Sequence, residues 1–277
     1  MAKDKTRALF LIDPQHDFCD PEGALPVPDA DQDMIRLADK MNSPFGDSID
    51  QVIVTLDQHH TFDIAHPMFW VDENGDNPAP FTIITVDDVE TGRWKPADIK
   101  FKWLALSYVR DLEESGRSPL CIWTKHCVIG TKGACVVPAI AAMLDSWERR
   151  HMKAVNYVYK GMNPLTEHYS AIKAEVPDPL DDSTFVNKPL VKELSEFDII
   201  YVGGEAATHC VPSSIMDLVA LVNEIAKRIV LLEDAMSDVP GFGKQGDKFF
   251  ADMLALGAAT AQTTVDDEEL LYPFGRD

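Results

Sequence analysis

Four side chains able to move protons or form covalent bonds stand at the ends of four separate apolar stretches. "RALFLID" ends at Asp13, "QVIVTLD" at Asp57 and "AVNYVYKG" at Lys160 and a glycine, while "FDIIYVGG" leads on to Cys210. Beyond Cys210, the residues Val211, Ile215, Leu218, Val219 and Val222 recur at helical spacing, so the thiol sits where a strand hands over to a helix. Taken singly, each residue has a plain explanation. A cysteine near a helix start usually packs, a strand-terminal aspartate caps a turn, and a strand-end lysine is a solvated charge. Together they make a chemical set. A thiol needs a base and a cation to become a thiolate near neutral pH, and a helix N-terminus favours the anion further. Asp13 and Lys160 supply base and cation, and Cys210 reads as a nucleophile.

A second cluster lies in "LDQHHTFDIAHP", which holds Asp57, His59, His60 and His66, with His126 further on in "WTKHCV". One carboxylate with several imidazoles suits a divalent metal such as Zn, Fe or Mn. Spacing alone leaves metal ligands and surface histidines both open, and His60 competes with His59.

These residues need a scaffold that brings strand ends together. Six apolar stretches read as buried strands: Arg7–Asp13, Gln51–Asp57, Ala154–Gly161, Phe197–Gly204, Arg228–Ala235 and Ala258–Val265. Amphipathic helical stretches such as "DADQDMIRLADKMNS", "VPAIAAMLDSWERR" and "GKQGDKFFADMLALGA" alternate with them. That alternation predicts a parallel sheet covered by helices on both faces. In such sheets ligands bind beyond the carboxyl ends of the strands, where all four reactive residues stand. Residues 67–121 break the rhythm with turn formers, acids and aromatics. They read as an insertion into a single domain spanning 1–277, folded onto it and forming a wall or lid of the pocket, with a homo-oligomeric partner one way to complete it.

Composition narrows the partners. The chain has 277 residues, 45% of them apolar, and a formal net charge of -21. So acidic a chain is unsuited to nucleic acid or an anionic membrane. The N-terminal apolar run is short and ends at an aspartate, which does not suit a signal peptide. The five cysteines show neither disulfide-framework nor zinc-ribbon spacing, so the expected setting is cytoplasmic, with reduced thiols.

The ordered motifs resemble one family. "LIDPQHDFCDPEGALPV" is similar to the opening motif of the isochorismatase-like cysteine hydrolases. "LDQHH…AHP" and "WTKHCVIGTKGA" resemble the metal-binding and Trp-x-x-His-Cys-Val segments of their nicotinamidase and pyrazinamidase branch, and "VYKG" and "GGEAATHCV" the lysine and nucleophile segments. The resemblance implies a three-layer α/β/α fold on a six-stranded parallel sheet and an Asp13–Lys160–Cys210 triad. It also implies a metal held by Asp57, His59 and His126, with His66 in a more variable position. A cis peptide at Glu205–Ala206, oxyanion contacts from Ala206 and Cys210, and a substrate ring held by Phe18 and Trp123 follow from the same source. The implied activity is hydrolysis of a small amide through a cysteine thioester, with nicotinamide the best-fitting substrate. A carbamoyl or maleamate-type amide, or a non-catalytic binding role, are the alternatives. Three features depart from the family pattern: His16 replaces an asparagine, Lys125 stands where proline is common, and the insertion is long.

Overall fold

The computed structural model describes residues 5–116 and 119–275. Six strands form the central sheet: β1 (Arg7–Ile12), β2 (Gln51–Asp57), β3 (Asn156–Lys160), β4 (Ile199–Gly204), β5 (Ile229–Leu232) and β6 (Ala259–Ala261). Their order is β6-β5-β4-β1-β2-β3, and every pairing is parallel. The strands β2, β4 and β5 are buried along their whole length, as near-continuous Val, Ile and Leu runs require in a sheet covered on both faces. Helices complete the three layers expected. Helix α1 (Ala30–Met41) buries Met34, Leu37, Ala38 and Met41, and packs against both β4 and helix α2 (Pro138–His151).

The strands are shorter than the apolar stretches suggested, for identifiable reasons. Glu233–Ala235 leaves β5 as a 3-10 turn, because the Asp234 carboxylate caps the Thr263 N–H at 2.6 Å and its hydroxyl at 2.8 Å. The end of β4 is fixed by a glycine. Gly204 has φ +111°, and a Cβ there would fall 1.9 Å from the Ile12 carbonyl oxygen, so no other residue lets β4 close on β1.

The insertion is a lattice of short pieces. Trp70–Val71 pairs with Lys95–Pro96, and Ile83–Ile84 pairs with Leu120–Cys121, both antiparallel. A helix at Val86–Thr91 opens on a capping box made by Thr85 and Asp88. The stretch "KWLALSYVRDLEESGR" reads as a helix in the sequence; it is one over Lys102–Ser115, ending at Gly116 in the left-handed conformation, and Arg117 lies outside the described residues. Phe69 stacks near Phe62 and Phe101, and the fully buried Trp70 donates its indole N–H to the Ile64 carbonyl at 2.7 Å. These residues belong to the same apolar cluster as the sheet. The aromatic side chains therefore fasten the insertion to the body of the protein.

Trp70→Ala removes a fully enclosed ring and its hydrogen bond. Expected destabilisation is about 3 to 5 kcal/mol, read by urea unfolding. Replacing the exposed turn Asn74–Asp76 by glycine and serine should cost less than about 1 kcal/mol.

Candidate active site

The reactive residues meet at the carboxyl edge of the sheet, and register explains why. Asp57 and Lys160 are direct partners across β2 and β3, and Ile12 and Gly204 across β1 and β4. Asp13 follows β1 with a positive φ of 48°, its N–H donating to the Thr55 carbonyl at 3.1 Å and its carboxylate accepting the Thr55 hydroxyl at 2.6 Å. The Lys160 ammonium lies 2.9 Å from Asp13 Oδ2 and 3.1 Å from Asp57 Oδ1. It donates to the His168 carbonyl at 3.0 Å and stands 3.6 Å from Cys210 Sγ. One buried cation thus joins the proposed nucleophile, its base and a metal-ligand candidate.

The charge states follow from burial and neighbours. Burial raises the Asp13 carboxyl above its ordinary range, with Lys160 pulling the other way. For Lys160 burial opposes the charge, yet Asp13 and Asp57 hold it well above the usual lysine range. Burial pushes the Cys210 thiol well up, and Asp13 and Asp57 add to the rise against Lys160. The helix N-terminus and one lysine do not outweigh burial beside two carboxylates. The sulfur rests as a thiol.

Cys210 opens helix α3 (Cys210–Leu221), so its N–H has no partner within the helix. The peptide Glu205–Ala206 is cis, and the next amide, Ala207, donates to the Ser237 carbonyl at 2.8 Å. Neither Ala206 nor Cys210 donates any of the loop and cap hydrogen bonds among the described residues. Both amides remain available to an incoming oxygen.

Beside this set, Asp57, His59 and His126 bring one ligand atom each within 4.8 Å of one another, all buried. His126 donates from Nδ1 to the Thr124 carbonyl at 2.8 Å, which leaves Nε2 facing Asp57 Oδ2 at 3.6 Å. His59 places Nε2 2.9 Å from Asp57 Oδ2 and Nδ1 2.8 Å from Asp63 Oδ2. His66 is 1% exposed, and its ring lies 5.1 Å from that of His59 and 5.4 Å from that of His126. Neither of its nitrogens has a hydrogen-bond partner, and burial lowers its pKa to about 4. A buried, neutral imidazole offers one ring-nitrogen lone pair, as a metal ligand must, but His66 stands outside the group formed by Asp57, His59 and His126. His60 is exposed and drops out, and Lys125 is exposed as well.

A narrow, partly open cavity adjoins the thiol. Phe18, Trp123, His126, Tyr169, His209 and Cys210 are among its lining residues. Phe18 meets the His126 ring at 5.3 Å, and Trp123 meets His209 edge to face at 5.1 Å while donating its indole N–H to the Tyr169 hydroxyl at 2.9 Å. The insertion reaches this wall through Phe81, whose ring stands edge-on to Trp123 at 5.7 Å. It buttresses the wall, where the sequence suggested a wall or lid of its own.

Sequence reasoning missed Thr55, Asp63, Glu167, Tyr169 and His209. The signal for two of them was the polar and aromatic run "TEHYS" shortly after the Lys160 strand end. Asp63 stands four residues from His59 and could have been read as its orienting carboxylate. A second aspartate also serves the site. Asp17 accepts the Cys127 N–H at 2.7 Å, next to His126, and a Cβ on Gly133 would fall 2.0 Å from that carboxylate.

No family model matches the chain. The nicotinamidase of Escherichia coli is 26% identical over 271 residues, covering 95% of this chain and 97% of the relative. The yeast nicotinamidase Pnc1p bound to the inhibitor nicotinaldehyde is similar in fold, with a TM-score of 0.64, 19% identity, and coverage of 93% of this chain and 100% of that one. The pyrazinamidase of Pyrococcus horikoshii in complex with zinc is similar at a TM-score of 0.55 and 20% identity, over 92% and 98% of the two chains. The chain is thus similar over nearly its whole length to a curated nicotinamidase, and it shares its fold with solved nicotinamidases and pyrazinamidases.

Proposed function

We propose that this protein is an amidohydrolase that converts nicotinamide to nicotinate and ammonia through a thioester on Cys210, using one catalytic domain over 1–277 with the insertion at 67–121. The observation that carries the reading is the Lys160 ammonium held between Asp13 and Asp57 and 3.6 Å from the Cys210 sulfur. Relatives and fold neighbours that are nicotinamidases support it.

The resting protonation states define the steps. As the sulfur attacks the carboxamide carbon, the thiol proton passes to Asp13, whose raised pKa suits it to receive and return a proton. Lys160 balances the charge while the S–C bond forms. The carbonyl oxygen becomes an oxyanion and accepts from the N–H groups of Ala206 and Cys210, each well-placed donor worth about 3 to 4 kcal/mol. Asp13 then gives its proton to the amide nitrogen, the C–N bond breaks and ammonia leaves. Water adds to the thioester, losing its proton to Asp13. The C–S bond breaks, nicotinate leaves and the thiol recovers its proton.

Asp57, His59 and His126, with His66, would hold a divalent metal: zinc, iron or manganese. When bound, it supplies a Lewis acid for a pyridine nitrogen or a polarised water. Phe18 and Trp123 would flank the flat ring. The cavity lining contains no lysine or arginine, so an anionic maleamate-type substrate would find no side-chain cation there. A neutral aromatic amide is the better match.

Cys210→Ala should lower kcat for ammonia release from nicotinamide by on the order of 10³-fold or more and leave the far-UV spectrum unchanged. Cys127→Ala, whose thiol is buried away from the cavity lining, should keep the rate within about threefold. A panel of nicotinamide, pyrazinamide and aliphatic amides should rank the aromatic amides first. Near-normal turnover by the Cys210 variant would refute the thioester.

Metal loading has a separate signature. Burial opposes a charge on His59, but Asp57 and Asp63 hold its pKa well above the usual range, so the metal-free site keeps a proton there. Titrating zinc into metal-free protein near neutral pH should therefore release about one proton per ion, and affinity should rise with pH. His59→Ala or His126→Ala should lower bound metal, measured by elemental analysis. Full stoichiometry in an Asp57→Ala, His59→Ala double variant would rule out this ligand set.

A further inference from the structure

Behind the oxyanion amides lies a pair of buried acids that the reaction does not use. Asp33 on helix α1 and Glu205 just past β4 are each 1% exposed. Both carboxyl groups converge on Ser237. Its hydroxyl donates to Asp33 Oδ2 at 2.6 Å, and its N–H donates to Glu205 Oε2 at 3.1 Å. The Ser237 carbonyl accepts the Ala207 N–H at 2.8 Å, and the Glu205 N–H donates to the Ile12 carbonyl at 2.8 Å. One serine therefore grips both acids and the backbone on the far side of Ala206.

Charge on this pair is only half balanced. Arg36, one turn along α1, bonds the Asp33 carboxylate and also donates to the Asp234 carbonyl at 2.8 Å. No cation is paired with Glu205 among the described residues. Its Oε1 is buried and receives no hydrogen bond from another group, although the two carboxyls are in hydrogen-bonding contact with each other. Two carboxylates in contact would repel and leave that oxygen bare. One proton between them removes both penalties.

We propose that Asp33 and Glu205 share one proton, and that this pair, latched by Ser237, is a positioning device that holds Ala206 and the oxyanion site in place. Its catalytic arm rests on the nicotinamide-hydrolysing reading above; its structural arm does not. The remaining neighbours cannot replace the proton. Asp238, on the loop beyond Ser237, adds negative charge, and Asp31 on α1 does so around the nearby Cys19. The Cys19 thiol is itself held neutral by burial and by Glu205 and Asp33. Burial first, then the Asp33 charge, push the Glu205 carboxyl well above its ordinary value.

A raised carboxyl pKa in the folded state has a defined consequence. Its stabilising contribution is complete below the unfolded value, near 4.5, and is lost as pH rises through the folded value. Glu205→Gln keeps a neutral side chain able to donate to Asp33 and cannot ionise. The test is thermal unfolding of metal-loaded wild type and Glu205→Gln between about pH 5 and 9, with kinetics on nicotinamide. Wild type should lose Tm toward alkaline pH more steeply than the glutamine variant, which should keep kcat within about threefold. Glu205→Ala should lower kcat by about 10²-fold with KM and metal content little changed, as expected when oxyanion donors are misplaced. Should that variant not fold, Ser237→Ala, which deletes one hydroxyl, should show a smaller loss confined to kcat. Equal pH slopes in wild type and Glu205→Gln would overturn the shared proton. Wild-type kcat in the folded alanine or serine variant would overturn the positioning role. Absence of nicotinamide hydrolysis by wild type would count against the function instead, while the unfolding slopes would still decide the shared proton.

Discussion

Everything at the candidate site depends on one buried ammonium. An isolated charge at the position of Lys160, 2% exposed, would be too costly to keep. It persists because Asp13 and Asp57 flank it and the His168 carbonyl accepts one of its protons. The dependence is mutual. Remove the cation and the buried Asp13 carboxylate faces Asp57 with no counter-ion of its own, which costs several kcal/mol. The triad and the metal cluster are therefore one electrostatic unit. Asp57 belongs to both, touching Lys160 through Oδ1 and His59 through Oδ2.

Sheet topology is what makes that unit buildable. Parallel strands deliver their carboxyl ends to one edge, and register sets which residues meet there. A slip of one residue between β2 and β3 would turn Lys160 to the opposite face from Asp57. The close approach of β4 to β1 at Gly204 fixes the other half, carrying the chain toward Cys210. Length and shape of the outer loops matter less to the chemistry. That is why a long insertion can be fastened to the body by Phe69 and Trp70 and reach residues of the cavity lining through the contact of Phe81 with Trp123 and the Tyr108 hydroxyl, which accepts the Glu167 N–H at 2.9 Å.

Much of this was legible in the sequence because period and strand-end position are local properties. The runs ending at Asp13, Asp57 and Lys160 carried both the sheet and the meeting point of the reactive groups. Residues contributed by irregular loops carried no such mark. Asp63, Glu167 and Tyr169 enter the site because the chain turns back after β2 and β3, and no periodicity announces a turn's direction. The resting state of the Cys210 thiol carried no mark either. A helix start and a neighbouring lysine are visible in sequence, whereas the depth of burial that outweighs them emerges only from the packed fold.

Burial also decides the character of the cavity. His66, His168 and His209 have pKa values of about 4, 3 and 4, chiefly because burial disfavours the imidazolium, so all three rings are neutral at physiological pH. Glu167, lifted by burial to about 7, is only partly ionised there. The lining offers aromatic faces beside the Asp57 and Glu167 carboxyls and no lysine or arginine, while the Lys160 ammonium nearby is already committed to two carboxylates and a carbonyl. Such a cavity discriminates between the two ends of the proposed reaction. A neutral carboxamide is desolvated at little electrostatic cost. A carboxylate would meet no lysine or arginine in the lining and would stand beside the partly ionised Glu167, which makes the neutral amide the better-suited occupant.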